Sequence, residues 1–245
     1  MEAFTDALAL EGHAPLYAKK HATTVRAMVA RGVKAGWLPR GFKPFDGVEG
    51  IKVPPKALLE TDLPTREELD ALFQAAKPAF AAMLTVYYHT GARTSELLEA
   101  RVGDFQPQSR QIVLSKHKRS RTLREYRPRV ISLNPDALAI IRERCRGRSS
   151  NAPIYPNRAG KEYTNVLIGD MFARTRKRAG VRNSITIYSY RHLWISEMLM
   201  AGHDALLVAR MAGTSVKMIE TVYGHFRTQS FVEAQARLDA ARVKF

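Results

Sequence analysis

Apolar positions recur at helical spacing along most of this chain, with one short interruption where they alternate. Tyr17, Val25, Met28, Val29 and Val33 predict helices within residues 1–38, with Lys19, Lys20, Arg26 and Arg31 between them. Pro39, Pro44, Pro54 and Pro55, with Gly41, Gly47 and Gly50, give the next stretch the composition of a linker. Thr65-Arg66-Glu67-Glu68 is a capping box, and Leu69, Leu72 and Phe73 follow it at core spacing. Pro78 opens a second helix reaching Tyr88, Thr90-Gly91 breaks it, and Arg93 stands at the head of a third, TSELLEARV. Beyond Asp104 the period changes. Gln111–Leu114 and residues 129–133 read as two short strands joined by a long basic tip, SKHKRSRTLREYRP. Helices resume at Asn134-Pro135, where Asn caps and Pro fills the first turn, with Leu138, Ile140, Ile141 and Cys145 inward. Further helices are expected over about 164–179, from a cap at Ser189 to Ala201, and from a cap at Asp204 to Ala212.

The stretch MAGTSVKMIETVYGHF, residues 211–226, reads as a helix end, a tight turn and a second short helix. Gly213 supplies the positive φ of a helix C-terminus, and Thr214 or Ser215 caps the second helix. Val216, Ile219 and Val222 form a narrow apolar face that Gly224 ends, which leaves Tyr223 at a frayed, weakly anchored helix end. A last amphipathic helix is expected over residues 230–243, with Phe231, Ala234, Leu238 and Ala241 on one side. The predicted fold class is mainly α with one small antiparallel β-sheet (α+β). Residues 1–60 form a helical segment with its linker, and residues 61–245 form the principal domain.

Charge changes the picture. Lys plus Arg number 39 against 23 Asp plus Glu, a formal net charge of +16. That excess implies a polyanionic partner, nucleic acid before an anionic membrane, because the basic residues are spread along the chain and not gathered on one amphipathic helix. Cys145 is the only cysteine, which excludes an internal disulfide and a cysteine zinc cluster. The sequence carries no long uncharged apolar run and no signal peptide, and a cytoplasmic, nucleoid-associated address is expected.

Four pieces fall in a particular order: TGARTSEL at residues 90–97, the strand-end Lys116, Tyr188-Ser189-Tyr190-Arg191-His192, and Gly213 through Tyr223-Gly224-His225. Together they resemble the catalytic domain of the tyrosine recombinases, the phage integrase family, over roughly residues 62–228. The preceding piece is similar to the last helices of that family's core-binding domain. The resemblance implies a DNA strand cut and rejoined through a 3′-phosphotyrosine, without metal or other cofactor. It implies Arg93 and Arg191 on the phosphate, Tyr223 as nucleophile and Lys116 as proton donor to the leaving oxygen, with Lys118 as the alternative lysine. Glu96, three residues after Arg93, orients an arginine. Lys118, Arg119, Arg121, Arg174, Arg176 and Lys177 are the expected DNA contacts.

The chemistry asks for these residue types independently. A phosphodiester gains charge in its transition state, and a guanidinium presents a planar donor fork to its oxygens. A tyrosine hydroxyl, with a pKa of about 10, attacks poorly without a base or a favourable field. Two positions depart from the family's commonest pattern: Tyr188 stands where many members have His, and Thr214 where many have His or Trp. Both donate hydrogen bonds and neither is a base near neutral pH, so the general base is left open between His192 and His225.

The expected partner is double-stranded DNA, bound by a monomer that assembles into a tetramer on paired sites, with the C-terminal helix bridging neighbours. Two other functions fit parts of the sequence. Ala209, Gly213 and Ile219 have the spacing of a helix-turn-helix regulator without chemistry. A type IB topoisomerase shares the arginine, lysine and tyrosine chemistry.

Overall fold

Helix-forming spacing becomes helix here wherever a cap and a stop flank it. The structure, a computed structural model, describes residues 7–8, 10–48, 50, 53, 57–115, 128–226 and 239. The chain divides into two units, Met1–Lys56 and Ala57–Phe245.

In the first unit, α1 (Pro15–Lys34) starts on a proline in its first turn. Its buried positions are the small residues Ala18, Ala22 and Gly32, whereas Tyr17, Val25 and Met28 of the expected apolar stripe are exposed. Small residues let the following chain approach closely. The amides of Trp37 and Leu38 donate back to the Gly32 carbonyl, and a Cβ on Gly32 would lie 2.9 Å from Leu38 Cδ1. Arg26 donates to the Val48 carbonyl at 2.7 Å and lies over the Phe45 ring, closing the segment after the helix onto it.

The second unit opens with a 3-10 turn, Glu60–Asp62. Next come α2 (Arg66–Ala75), α3 (Pro78–Thr90) and the short α4 (Thr94–Glu99). The Thr65 capping box is formed in both directions. The sheet has order β1-β2-β3, with β1 Phe105–Gln106, β2 Gln111–Leu114 and β3 Arg129–Ser132, all antiparallel. The two-residue β1 carries too little alternation to be seen in the sequence. Leu114 pairs with Arg129, so the strands end level at the base of the basic hairpin. Its tip, residues 116–127 with Lys116, Lys118, Arg119 and Arg121, lies outside the described residues.

Helices α5 (Pro135–Cys145), α6 (Asn165–Ala179), α7 (Ser189–Met200), α8 (Ala205–Ala212) and α9 (Val216–Tyr223) complete the unit. Asn134, Thr164, Asp204 and Ser215 cap four of them by accepting backbone N–H bonds, as their residue types predict. Ser189 is different: Tyr188 holds the cap position of α7, and the Ser189 hydroxyl accepts from the Thr186 amide. Helix α3 lies against α5 and α7, α2 against α6, and α8 against both α9 and β3. The core so enclosed includes Leu72, Leu84, Leu97, Ile112, Ile131, Ile141, Ile168, Phe172 and Ile219, each nearly or wholly closed to water. Among the described residues no helix is long and apolar enough to cross a membrane. The expected helix over residues 230–243 lies outside the described residues.

Candidate active site

Several helix ends and one strand end meet at the candidate site. At the α3 end, Thr90 Oγ1 donates to the Val86 carbonyl and accepts from the Ala92 amide, which shapes the break that Gly91 completes at φ +56°. A side chain at Gly91 would be strained and would also strike Trp194, whose Cε3 would lie 2.5 Å from its Cβ. The backbone of α3 therefore reaches α7 directly, and Arg191 Nη1 donates to the Gly91 carbonyl at 2.7 Å.

Arg93 caps α4. Its amide donates to Glu96 Oε2 at 2.9 Å, and its Nη1 donates to Glu96 Oε1 at 2.7 Å. Its Nη2 donates to the Gly213 carbonyl at 2.6 Å. Gly213 is the left-handed end of α8, at φ +66°. Thus each of the two arginines is fastened to the carbonyl of a glycine that ends a helix. A guanidinium has five donors, so each retains N–H groups for a ligand.

A third arginine, absent from the expected set, joins them. Arg129 at the start of β3 is 5% exposed and donates through Nε to Glu96 Oε1 at 3.2 Å. It also donates to the Val130 carbonyl, while its buried Nη2 has no partner among the described residues. Burial lowers its proton affinity most, and the nearby charges of Arg191 and Arg93 act in the same sense against the pull of Glu96. The sequence did carry a signal for it. Arg129, Ile131 and Leu133 alternate, and all three are buried, so an arginine sits in phase with two core residues. Glu96 is itself buried. Burial works to raise its carboxyl, but Arg129 and the Arg93 amide and guanidinium prevail and hold it below the ordinary carboxylate range. Two guanidiniums thus hold one carboxylate, and the Arg191 charge near Arg129 gives the cluster surplus positive charge.

Tyr223 ends α9 and is 4% exposed, because α9 runs straight into a 3-10 turn, Gly224–Phe226, that buries Phe226. The expectation of a frayed tyrosine is corrected: Tyr223 is buried, and the 3-10 turn continues the chain directly from it. The Leu58 amide also donates to the Val222 carbonyl, laying the chain before α2 along the end of α9. The Tyr223 hydroxyl shares a 2.7 Å hydrogen bond with His192 Nδ1. Burial, aided by Tyr188 and opposed by Arg191, pushes the Tyr223 hydroxyl well above the ordinary phenol value. Arg191 is 3% exposed, and its Nε is buried without a partner among the described residues.

Tyr188 is 42% exposed, stands edge-on to His192 and has the Arg191 guanidinium 5.9 Å from its ring centroid. Thr214 is half-buried in the turn beside Gly213, with its amide donating to the Ala209 carbonyl. His225 is exposed and its ring rests on Phe226, away from the Tyr223 hydrogen bond. On α6, Arg174 and Lys177 are exposed, but Arg176 donates to the carbonyls of Asn183 and Ile185 and to the Asn183 side chain. It braces the loop that leads to α7. Among the described residues no group of three or more His, Cys, Asp or Glu is placed to hold a metal.

Known proteins share this fold. The model of the phage integrase family matches residues 64–230. The tyrosine recombinase XerC of Xanthomonas axonopodis pv. citri is 26% identical over 151 residues, which is 60% of this chain and 47% of that protein. The tyrosine recombinase XerD of Mycobacterium tuberculosis is 24% identical over 213 residues, 82% of this chain and 68% of that one. The chain thus spans about half the length of the first relative and two thirds of the second. Among solved structures, the Tn1549 transposon integrase in complex with circular intermediate DNA is similar with a TM-score of 0.63 and 16% identity, over 98% of this chain and 84% of that chain. A lambda integrase dimer bound to a COC′ core site has a TM-score of 0.62 at 16% identity, over 92% and 77%.

Proposed function

This chain belongs to the phage integrase family, and from that premise we propose that it is a site-specific tyrosine recombinase acting on double-stranded DNA. The observation that carries the reading is the meeting of Arg93, Arg191 and Tyr223, drawn from three separate helices around one cationic cluster. Arg93 and Arg191 neutralise the scissile phosphate, and their fixed donors favour the more highly charged transition state over the diester. Tyr223 attacks phosphorus, the 5′ oxygen departs with a proton from Lys116, and the strand stays on the enzyme as a 3′-phosphotyrosine. No bond energy is lost to water, so the reverse attack by a 5′ hydroxyl rejoins DNA. Tyr188 and Thr214 donate hydrogen bonds to phosphate oxygens.

Residues 1–60 are proposed to be the end of a core-binding segment, and residues 61–245 the catalytic domain. Lys118, Arg119, Arg121, Arg174 and Lys177 contact the DNA backbone. The protein is a monomer in solution and a tetramer on paired sites, with residues 230–243 docking on a neighbour. A regulator without chemistry would use α8 and α9 as a helix-turn-helix, but it leaves the buried arginine cluster and the Tyr223 hydrogen bond without purpose.

The test is covalent trapping on nicked duplexes drawn from a pool rich in inverted repeats. Wild-type protein is expected to form a denaturation-resistant adduct that Tyr223→Phe does not form. An adduct that persists in Tyr223→Phe would refute Tyr223 as nucleophile.

A further inference from the structure

We propose that His192 is the general base of strand cleavage, taking the Tyr223 proton through Nδ1 and returning it on rejoining. The proposal rests on the recombinase reading above and names a residue for the step that Tyr188 and Thr214 leave unfilled.

Nδ1 of His192 lies 2.7 Å from the Tyr223 hydroxyl, within the range at which a proton passes directly. The two rings are tilted with centroids 5.7 Å apart, so the contact is through the ring nitrogen and not by stacking. Tyr188 stands edge-on to His192 on the preceding turn and limits how the imidazole can swing. His225, the other imidazole near in sequence, rests on Phe226 instead.

The charges facing His192 come from each element around it. Arg191, its neighbour on α7, disfavours a second cation, and burial acts still more strongly in the same sense. Asp62, on the 3-10 turn, pulls the other way. That turn is held in place by Arg182, which donates to the carbonyls of Thr61 and Leu63 and pairs with Glu68 at 3.0 Å. Tyr223 and Tyr188 complete the surroundings. The balance lowers His192, leaving the imidazole neutral at neutral pH with a lone pair to offer. With the ring proton on Nε2, Nδ1 accepts from the tyrosine, and the carboxylate of Asp62 favours the imidazolium once it forms.

The step balances. The Tyr223 O–H bond breaks and its proton moves to His192 Nδ1. The phenolic oxygen forms a bond to phosphorus, and the bond from phosphorus to the 5′ oxygen breaks with its electron pair on that oxygen, which takes a proton from Lys116. Rejoining runs each transfer backwards.

The experiment uses the duplex that the wild-type protein itself selects from the inverted-repeat pool. Single-turnover adduct formation is followed from about pH 5.5 to about pH 9, with ordinary and 5′-phosphorothiolate leaving groups, for wild type, His192→Gln and Tyr223→Phe. Wild type should show a rate that is flat at neutral pH and falls only on acidification past the ordinary imidazole range. His192→Gln should bind the duplex as before, lose about 10²–10⁴-fold in rate at neutral pH, and recover as pH rises. The sulfur leaving group needs no proton, so it should not restore the loss. A His192→Gln rate within about threefold of wild type overturns the proposal, as does a loss that sulfur repairs, which would make His192 the acid. If His192→Gln does not fold, the wild-type profile decides: a rate still climbing in proportion to hydroxide across neutral pH overturns a histidine base. An adduct in Tyr223→Phe would instead sink the recombinase assignment of Tyr223, a different failure.

Discussion

Arg129 and Glu96 form a 3.2 Å ion pair in which the two side chains are only 4% and 6% exposed. It ties the first residue of β3 to the helix that Arg93 caps, and the Arg93 guanidinium donates to the same carboxylate oxygen, Oε1, at 2.7 Å. The hairpin that leads to the expected lysine and the arginine expected on the phosphate thus share one buried anion. Removing one partner of such a pair leaves an uncompensated charge in a poorly solvated place.

Arg129→Met should destabilise the protein, but by less than the roughly 3–5 kcal/mol of an orphaned buried charge, because Arg93 still holds Glu96; urea unfolding measures it. Arg129→Lys should recover only part, because an ammonium cannot reproduce the fork. An unfolding midpoint unchanged in Arg129→Met would show that the pair contributes nothing to the fold.

Gly213→Ala should destabilise the protein by more than the roughly 0.4–1 kcal/mol by which the same change stabilises relaxed backbone. Its φ is +66°, and the new Cβ would come within 2.6 Å of Arg129 Nε. The carbonyl that holds Arg93 would shift with it. Adduct formation should fall along with the melting temperature, and a variant as stable and as fast as wild type would show that the left-handed turn does not hold Arg93 in place.

Acid stability should reflect two groups in turn. His192 is lowered in the folded protein, so its contribution is fully present above the unfolded imidazole value of about 6.5 and is lost as pH falls through the folded one. Glu96 is also lowered, and its contribution is present above the unfolded carboxyl value of about 4.3 and lost as pH falls through its folded value. Melting temperature followed downward from neutral pH should therefore decline in two stages. His192→Gln should remove the earlier stage and Glu96→Gln the later.

Arg174→Ala and Lys177→Ala should each reduce the slope of log affinity against log salt by about 0.9, the release of one phosphate contact. Arg176→Ala should leave that slope alone and lower stability instead, since its guanidinium holds the Asn183 and Ile185 carbonyls. A salt slope that falls with Arg176→Ala would return that residue to the DNA surface.

Deleting the residues after Thr228 should leave a folded monomer that binds one DNA site and does not assemble a tetramer on paired sites. Native gels and light scattering read the outcome, and an unchanged tetramer would show that residues 230–243 do not bridge neighbours.

Local chemistry made much of this protein legible from residues alone. The Thr65 capping box, the Asn134, Thr164, Asp204 and Ser215 caps, and the glycine stops at Gly91 and Gly213 each satisfy backbone groups within a few residues, so adjacent sequence suffices to predict them. The order of TGARTSEL, Tyr188 to His192 and Tyr223 was enough to name a family. Tertiary structure alone decided what lies beyond that range. Tyr223 is buried and not frayed, with its hydroxyl bonded to His192 and the chain at Leu58 joined to the neighbouring Val222 carbonyl. Arg176 braces a loop although its neighbours in the same basic run face solvent. Arg129 lies 33 residues from Glu96 in the chain, and His192 lies 31 from Tyr223. Distance in sequence says nothing of which charge will share a carboxylate or which imidazole will face a hydroxyl. Those pairings arise only when helices and strand are packed, because burial removes water and makes each remaining polar partner decisive.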